Sequence, residues 1–266
     1  MWAMSSNGSD FAGRAVLVTG GTRGIGAGIA SAFLAAGADV LVCGRTPPVD
    51  ETALPAAGGR RAVFSPADVR DTSSADRVVN EAAERFGRLD VVVNNAGGAP
   101  YAEAATASPR FHSKIIELNL IAPLHVSQAA NRIMQAQDGG GSIVMIGSVS
   151  GIRPSPGTAA YGAAKAGLAS LATSLAVEWA PAVRVNTVVA GPVETPAGAA
   201  QHFGDADAMA EVGKTIPMGR MAVPADVADA CLFLASGRAS YITGASLLVH
   251  GGGEWPAYLA AAKGPV

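Results

Sequence analysis

Apolar residues along the chain fall into short β-branched runs, separated by longer stretches in which they recur every three or four positions. The runs at 15–19, 40–43, 62–64, 91–94, 143–146, 184–189 and 246–249 are predicted strands. Several of them, such as AVLVT at 15–19, are apolar without alternation, the pattern of a strand covered on both faces. The stretches near 25–36, 73–86, 109–136, 158–179 and 224–236 are predicted helices. Strand and helix in alternation imply an α/β fold: a doubly wound parallel sheet of about seven strands, with right-handed crossovers and helices on both faces. No repeat or linker divides the chain, so residues 13–266 are expected to form a single domain behind a flexible leader at 1–12. The irregular stretch 191–223, rich in Gly, Ala and Pro with one short helix around 206–212, follows the sixth strand. Ligands of such sheets bind beyond the carboxyl ends of the strands, which makes this stretch a candidate substrate-binding lid.

Composition fits that picture. Of the 266 residues, 49% are hydrophobic and 15% charged, enough apolar surface for a large core. A net charge of −2 leaves no basic footprint for nucleic acid or an anionic membrane. The two cysteines, Cys43 and Cys231, make neither a disulfide framework nor a zinc site, which suits a reducing compartment. The start, MWAMSSNGSDFAG, lacks the basic and apolar regions of a secretory signal, and the apolar stretch 166–177 is too short for a bilayer. A cytoplasmic protein without a membrane span is expected.

The first strand runs into TGGTRGIG at 19–26 and then into a helix. Gly20, Gly24 and Gly26 allow a tight turn, a close approach to a pyrophosphate and close helix–strand packing, while the helix start offers free N–H groups to anionic oxygens. Ala27 and Gly28 stand where a P-loop needs Lys and Ser/Thr, which excludes that reading. An NAD-preferring fold places a carboxylate at the end of the second strand, but here Gly44 is followed by Arg45 and Thr46. Arg45, with Arg23 in the glycine turn, suits a 2′-phosphate, so NADP(H) is expected over NAD(H), which remains possible.

TGxxxGxG at 19–26, NNAG at 94–97, Asn119, Ser148 and Tyr161-x-x-x-Lys165, in this order and spacing, resemble the short-chain dehydrogenase/reductases from about residue 13 to 252. The resemblance implies a Rossmann-like fold and an oxidoreductase of the 3-oxoacyl reductase kind. The side chains suit that chemistry. His112, His125, His202 and His250 are scattered without ligand spacing, so no metal site is expected and hydroxyl groups must polarise the carbonyl. A free tyrosine titrates near 10, and a cation one helical turn away stabilises its phenolate.

By resemblance, Tyr161 is the general acid and base and Ser148 hydrogen-bonds the substrate oxygen. Lys165 binds the nicotinamide ribose and lowers the tyrosine pKa, and Asn119 holds a water for proton relay. Thr22, Arg23 and Ile25 belong to the phosphate turn, and Asp68 and Val69 follow the third strand where the family contacts adenine. Asn95, Ala96 and Gly97 lie along the adenosine ribose, and Val193 and Thr195 touch the carboxamide. Two positions depart from the family: Ala190 stands for a usual proline and His250 for a common aspartate. Helices 109–136 and 158–179 and the last strand are implied interfaces of a homotetramer, or of a dimer. The substrate is expected to be a mainly apolar carbonyl or alcohol, such as a steroid-like ketone, a 3-oxoacyl thioester or a quinone. Ile152, Phe203 and Met209 would line its site, with Arg153 and His202 as polar contacts. A catalytically silent dinucleotide sensor is the alternative, but it has no need of Ser148, Tyr161 and Lys165 together. In GSVSG at 147–151, Val149 occupies the position a serine hydrolase gives to its nucleophile.

Overall fold

The computed structural model describes residues 10–98, 100–195 and 204–256. Its strands are β1 (Ala15–Thr19), β2 (Asp39–Gly44), β3 (Ala56–Ala57), β4 (Arg60–Arg61), β5 (Val63–Pro66), β6 (Val91–Asn94), β7 (Gly141–Ser148), β8 (Val183–Ala190) and β9 (Ser246–Val249). Among the described residues, seven of them form one parallel sheet in the order β5-β2-β1-β6-β7-β8-β9, while β3 and β4 make a small antiparallel hairpin beside it. The helices are α1 (Gly24–Ala35), α2 (Thr72–Phe86), α3 (Pro109–Ile116), α4 (Ala122–Ala136), α5 (Ala159–Trp179), α6 (Ala206–Lys214) and α7 (Pro224–Ala235).

Successive strand residues point to opposite faces, and both faces are covered. Val16, Val18, Val40, Val42, Val144 and Ile146 pack with Ile29 and Phe33 of α1 and Val227 and Leu234 of α7. Leu17, Leu41, Val92, Ile143 and Met145 pack with Val78 of α2, Val126 of α4 and Leu168 of α5. Two buried faces explain why the strands read as unbroken apolar runs. From β1 the chain winds outward through β2 to one edge and through β6 toward the other. That reversal opens a crevice at the carboxyl ends of β1 and β6.

Three features depart from the sequence reading. The helix expected over 109–136 is interrupted by a π-helical segment, Glu117–Ile121, between α3 and α4. Pro123 supplies the cause: it has no N–H to donate, and in a regular helix its ring would strike the carbonyl of Asn119, four residues earlier. The β3–β4 hairpin was not foreseen. Phe11, assigned to the leader, is 5% exposed; its ring lies edge-on 5.0 Å from Phe33, and its N–H donates to Ala36 O at 3.1 Å. Residues 1–9 of the expected leader, and His202 and Phe203 of the expected lid, lie outside the described residues.

At the opposite end of the sheet Asp90 accepts hydrogen bonds from Arg14 at 2.6 Å, from Arg88 at 2.6 and 2.7 Å, and from Ala15 N–H at 2.9 Å. Burial pushes this carboxyl up, but the Arg88, Ala15 and Arg14 donors outweigh it and hold Asp90 below the ordinary carboxylate value.

Candidate active site

Ser148 ends β7, and its Oγ accepts from Ser150 N–H at 3.2 Å, which closes the 3₁₀ turn Val149–Gly151. That turn lies against α5 because the facing positions are glycines. A Cβ on Gly162 would stand 2.7 Å from Ser150 O, and one on Gly151 would stand 2.7 Å from Ala166 N. The small residues of AAYGAAKAG therefore bring the end of β7 onto the first turns of α5, with Ser148 close enough to Tyr161 to oppose the rise of its phenol.

Lys165 follows one turn later and is 5% exposed. Its Nζ donates to Ile146 O at 2.8 Å and lies over the Tyr161 ring, 5.6 Å from the centroid. No carboxylate pairs with it among the described residues. Burial lowers the lysine to about 8. Burial also raises the Tyr161 phenol above its ordinary value, with the Ser148 hydrogen bond opposing part of that shift. Both shifts have one cause: loss of solvent penalises the charged form of each group.

Asn119 sits fully buried in the π segment. Its Nδ2 donates to Gly98 O and Ile115 O, both at 2.9 Å, and its Oδ1 accepts from Gly98 N–H at 2.9 Å. Both amide protons are spent on backbone, so the side chain clamps the loop after β6 and keeps one lone pair on Oδ1. A Cβ on Gly97 would meet Asn119 Oδ1 at 2.7 Å and Lys165 Nζ at 3.3 Å, which places both groups against the same glycine.

The glycine turn lies beside this cluster. Gly24 has φ +56°, a left-handed conformation that favours glycine, and faces Thr195. A Cβ on Gly26 would be 2.3 Å from Gly20 O, so only glycine lets α1 start so close to β1. Arg23 is the N-cap of α1 without a side-chain cap hydrogen bond, and the first turn carries no acid. Its N–H donors are the kind that hold phosphate oxygens. Thr22 lies near Gly44 at the end of β2, with its Oγ1 3.8 Å from where a Cβ on Gly44 would stand. Arg23, Arg45 and Thr46 are exposed there, and neither arginine forms an ion pair with a described residue. Ile25 packs against the core of the α1 face.

Other expected contacts are more constrained. Asp68 is gripped by the Arg70 guanidinium, which holds its carboxyl below the ordinary value, and Val69 is buried in the core. Asn95 donates to Thr19 O and Gly20 O at 2.9 and 3.1 Å. The N–H groups of Asn95 and Ala96 both donate to Thr19 Oγ1 at 3.0 Å. These bonds tie β6 to the end of β1. Val193 bridges to Ala222, and Glu194 N–H donates to Ala222 O at 2.8 Å, which sets Thr195 over the glycine turn. Ala190 continues β8 without disturbance, opposite Ser148.

The sequence reading missed Thr19, the Ile146 carbonyl and His112. Thr19 stands inside the quoted glycine motif, and its buried hydroxyl was the available signal. A backbone carbonyl leaves no trace in a sequence. His112 shares a small cavity with Tyr161, Phe111 and Thr158, and its Nδ1 is buried without a described partner. Among the described residues no His/Cys/Asp/Glu group is arranged to hold a metal ion. No described helix is long and apolar enough to cross a membrane.

Known proteins share this arrangement. A family model described as enoyl-(acyl carrier protein) reductase matches residues 20–254. An uncharacterized oxidoreductase of Mycobacterium tuberculosis is 36% identical over 245 residues, covering 91% of this chain and 93% of the relative. An L-rhamnose 1-dehydrogenase (NAD(P)(+)) of Azotobacter vinelandii is 35% identical over 246 residues, covering 90% of this chain and 96% of the relative. The solved structure of a short-chain type dehydrogenase/reductase from Mycobacterium ulcerans superposes with a TM-score of 0.84 at 32% identity, covering 91% of this chain and 90% of that one. With the sheet order and the crevice already in hand, these matches make the chain a member of the short-chain dehydrogenase/reductase family, an oxidoreductase of carbonyl and alcohol groups that works with a nicotinamide dinucleotide.

Proposed function

We propose that this oxidoreductase uses NADP(H) to reduce a mainly apolar carbonyl compound, or to oxidise the matching secondary alcohol, with Tyr161 as the proton-carrying group. One observation carries the reading: the end of β7 that bears Ser148 lies against the first turns of α5, where the buried Lys165 ammonium sits over the Tyr161 ring. The nicotinamide, when bound, supplies or accepts the hydride. In reduction Ser148 donates a hydrogen bond to the substrate oxygen, and Tyr161 passes its phenolic proton to that oxygen as negative charge develops. Lys165, fixed by Ile146 O, stabilises the phenolate left behind, and its ammonium suits the ribose hydroxyls. Asn119 holds a water beside Lys165 for reprotonation, a role supported by the spare lone pair on Oδ1 and the shared approach to Gly97. Tyr161→Phe is expected to lower kcat by roughly 10²- to 10⁴-fold. A variant that kept most of its turnover would overturn the assignment.

The preference for NADP(H) is supported by Gly44 in place of a carboxylate and by exposed Arg23 and Arg45 beside the uncapped start of α1. In Arg45→Ala, the ratio of kcat/KM with NADPH to that with NADH is expected to fall about tenfold, the loss of one charged hydrogen-bonded contact. An unchanged ratio, or wild-type protein that binds NADH as tightly as NADPH, would refute it. The dinucleotide's adenosine end is assigned to Asp68, Val69, Asn95, Ala96 and Gly97, and its carboxamide to Val193 and Thr195. Buried free Cys43 and Cys231 suit a cytoplasmic setting. A homotetramer is supported by exposed apolar side chains on two faces. Val177 lies on α5 at 82% exposure, and Leu248, at 49%, lies on the edge strand β9.

A further inference from the structure

One ion pair joins two distant parts of the chain, the segments that follow β7 and β9. Arg153 Nη2 lies 2.7 Å from Glu254 Oε1, and each side chain is about two-fifths exposed. Arg153 belongs to the turn that leaves Ser148, since its N–H donates to Val149 O at 3.1 Å. Glu254 follows β9 on a segment packed against the turn after α6. There Met218 N–H donates to Gly251 O at 3.1 Å and Trp255 N–H to Thr215 O at 3.3 Å. Three apolar side chains of these segments are exposed: Ile152 at 59%, next to Arg153 in the sequence, Trp255 at 57%, next to Glu254, and Met218 at 68%, in the turn bonded to Gly251. Each of the segments that the pair and these bonds join thus presents apolar surface to solvent.

We infer that Arg153 is a specificity-determining residue that receives an anionic group, such as a carboxylate or phosphate, on a substrate whose body is apolar, and that Glu254 is the internal anion such a substrate displaces. The inference rests on the oxidoreductase reading above and narrows its substrate class. A guanidinium has five N–H donors in a fork that matches a carboxylate or phosphate. Here one donor faces Glu254 and one Pro154 O at 3.1 Å, and the rest have no described partner. A half-exposed ion pair in water contributes little to stability, so exchange of one carboxylate for another costs little and Glu254 returns to solvent. The side chains of Ile152, Met218 and Trp255 gain by covering the apolar body at the same moment. Several other arginines are committed differently: Arg14 and Arg88 to buried Asp90, Arg70 to Asp68 two residues away, Arg220 to Asp226 six residues away.

The test uses a matched pair of probes, a medium-chain oxo-fatty acid and its methyl ester, with NADPH and the full chain. In Arg153→Gln the ratio of kcat/KM for acid over ester is expected to fall about tenfold, the loss of a charged hydrogen bond. In Glu254→Gln, which frees the guanidinium, that ratio is expected to rise severalfold. Each ratio cancels changes common to both probes, including any general loosening of the fold. Ratios unchanged in both variants overturn the inference while leaving the oxidoreductase reading intact. If wild-type protein turns over neither probe, calorimetric binding of the acid to NADPH-loaded wild type and Arg153→Gln decides: weaker binding in the variant supports the inference, and equal binding or none to wild type overturns it. Absence of turnover with any carbonyl would count against the catalytic reading alone.

Discussion

At Lys165 burial and charge work against each other. The unfolded chain keeps the lysine proton up to its ordinary value, about 10.4, while in the folded protein the group titrates near 8. Between those values the unfolded state binds the extra proton, so this group's contribution to stability grows as pH rises. Lys165→Met, which buries no charge, is expected to lose that slope. Its lead over wild type in urea midpoint should shrink from pH 7.5 to pH 10, and a constant gap would contradict the cause assigned to the shift. Asp90 behaves in the opposite sense. Its depressed carboxyl stabilises the fold above the ordinary carboxylate value, and that contribution disappears as pH falls through the depressed one. Asp90→Asn is expected to cost about 3 kcal/mol at neutral pH, because it leaves Arg14 and Arg88 without their buried partner. Urea titrations at pH 7 and pH 3 would show whether the cost vanishes in acid. Ser148, Tyr161 and Lys165 were legible in the sequence because their chemistry resides in side chains at fixed spacing. The groups that orient Lys165 and Asn119, the carbonyls of Ile146, Ile115 and Gly98, belong to the backbone and were not.

Among the elements, the strands were readable because burial on both faces demanded unbroken apolar runs. Their ends were less so: β7 runs two residues beyond its apolar run at each end, Gly141 and Ser142 at the start and Gly147 and Ser148 at the finish, held by register with β8. The break between α3 and α4 was visible in principle as Pro123, but an early proline also suits a helix start, and only packing decides. Gly167 helps to settle it, since it admits Leu120 of the π segment to the surface of α5. The contact between α5 and the turn after β7 is equally demanding. Gly162→Ala would put a methyl 2.7 Å from Ser150 O and push Ser148 away from Tyr161. A displacement of this kind is expected to lower kcat by about tenfold to a hundredfold in a protein that still binds NADPH. Stopped-flow turnover alongside a cofactor titration separates the two effects, and an unaltered kcat would show that the turn can yield without consequence.

On the scale of the whole molecule, alternating element types implied a parallel sheet, and the sheet order puts every candidate catalytic group along one edge of it, beyond the carboxyl ends of the strands. Assembly is a proposal of the same scale. Light scattering is expected to give a tetramer at micromolar concentration, and a monomeric mass would refute it. Phe11 falls within the expected leader for a physical reason: SSNGSDFAG reads as polar, and a single aromatic in such company gives no periodicity to detect. Yet Phe11 lies against Phe33 at the back of α1, the helix whose front end begins the phosphate turn. Phe11 is therefore a wedge behind α1. Phe11→Ala, by opening a cavity under α1, is expected to cost about 3–5 kcal/mol in urea unfolding and to loosen the grip on NADPH from the far end of α1.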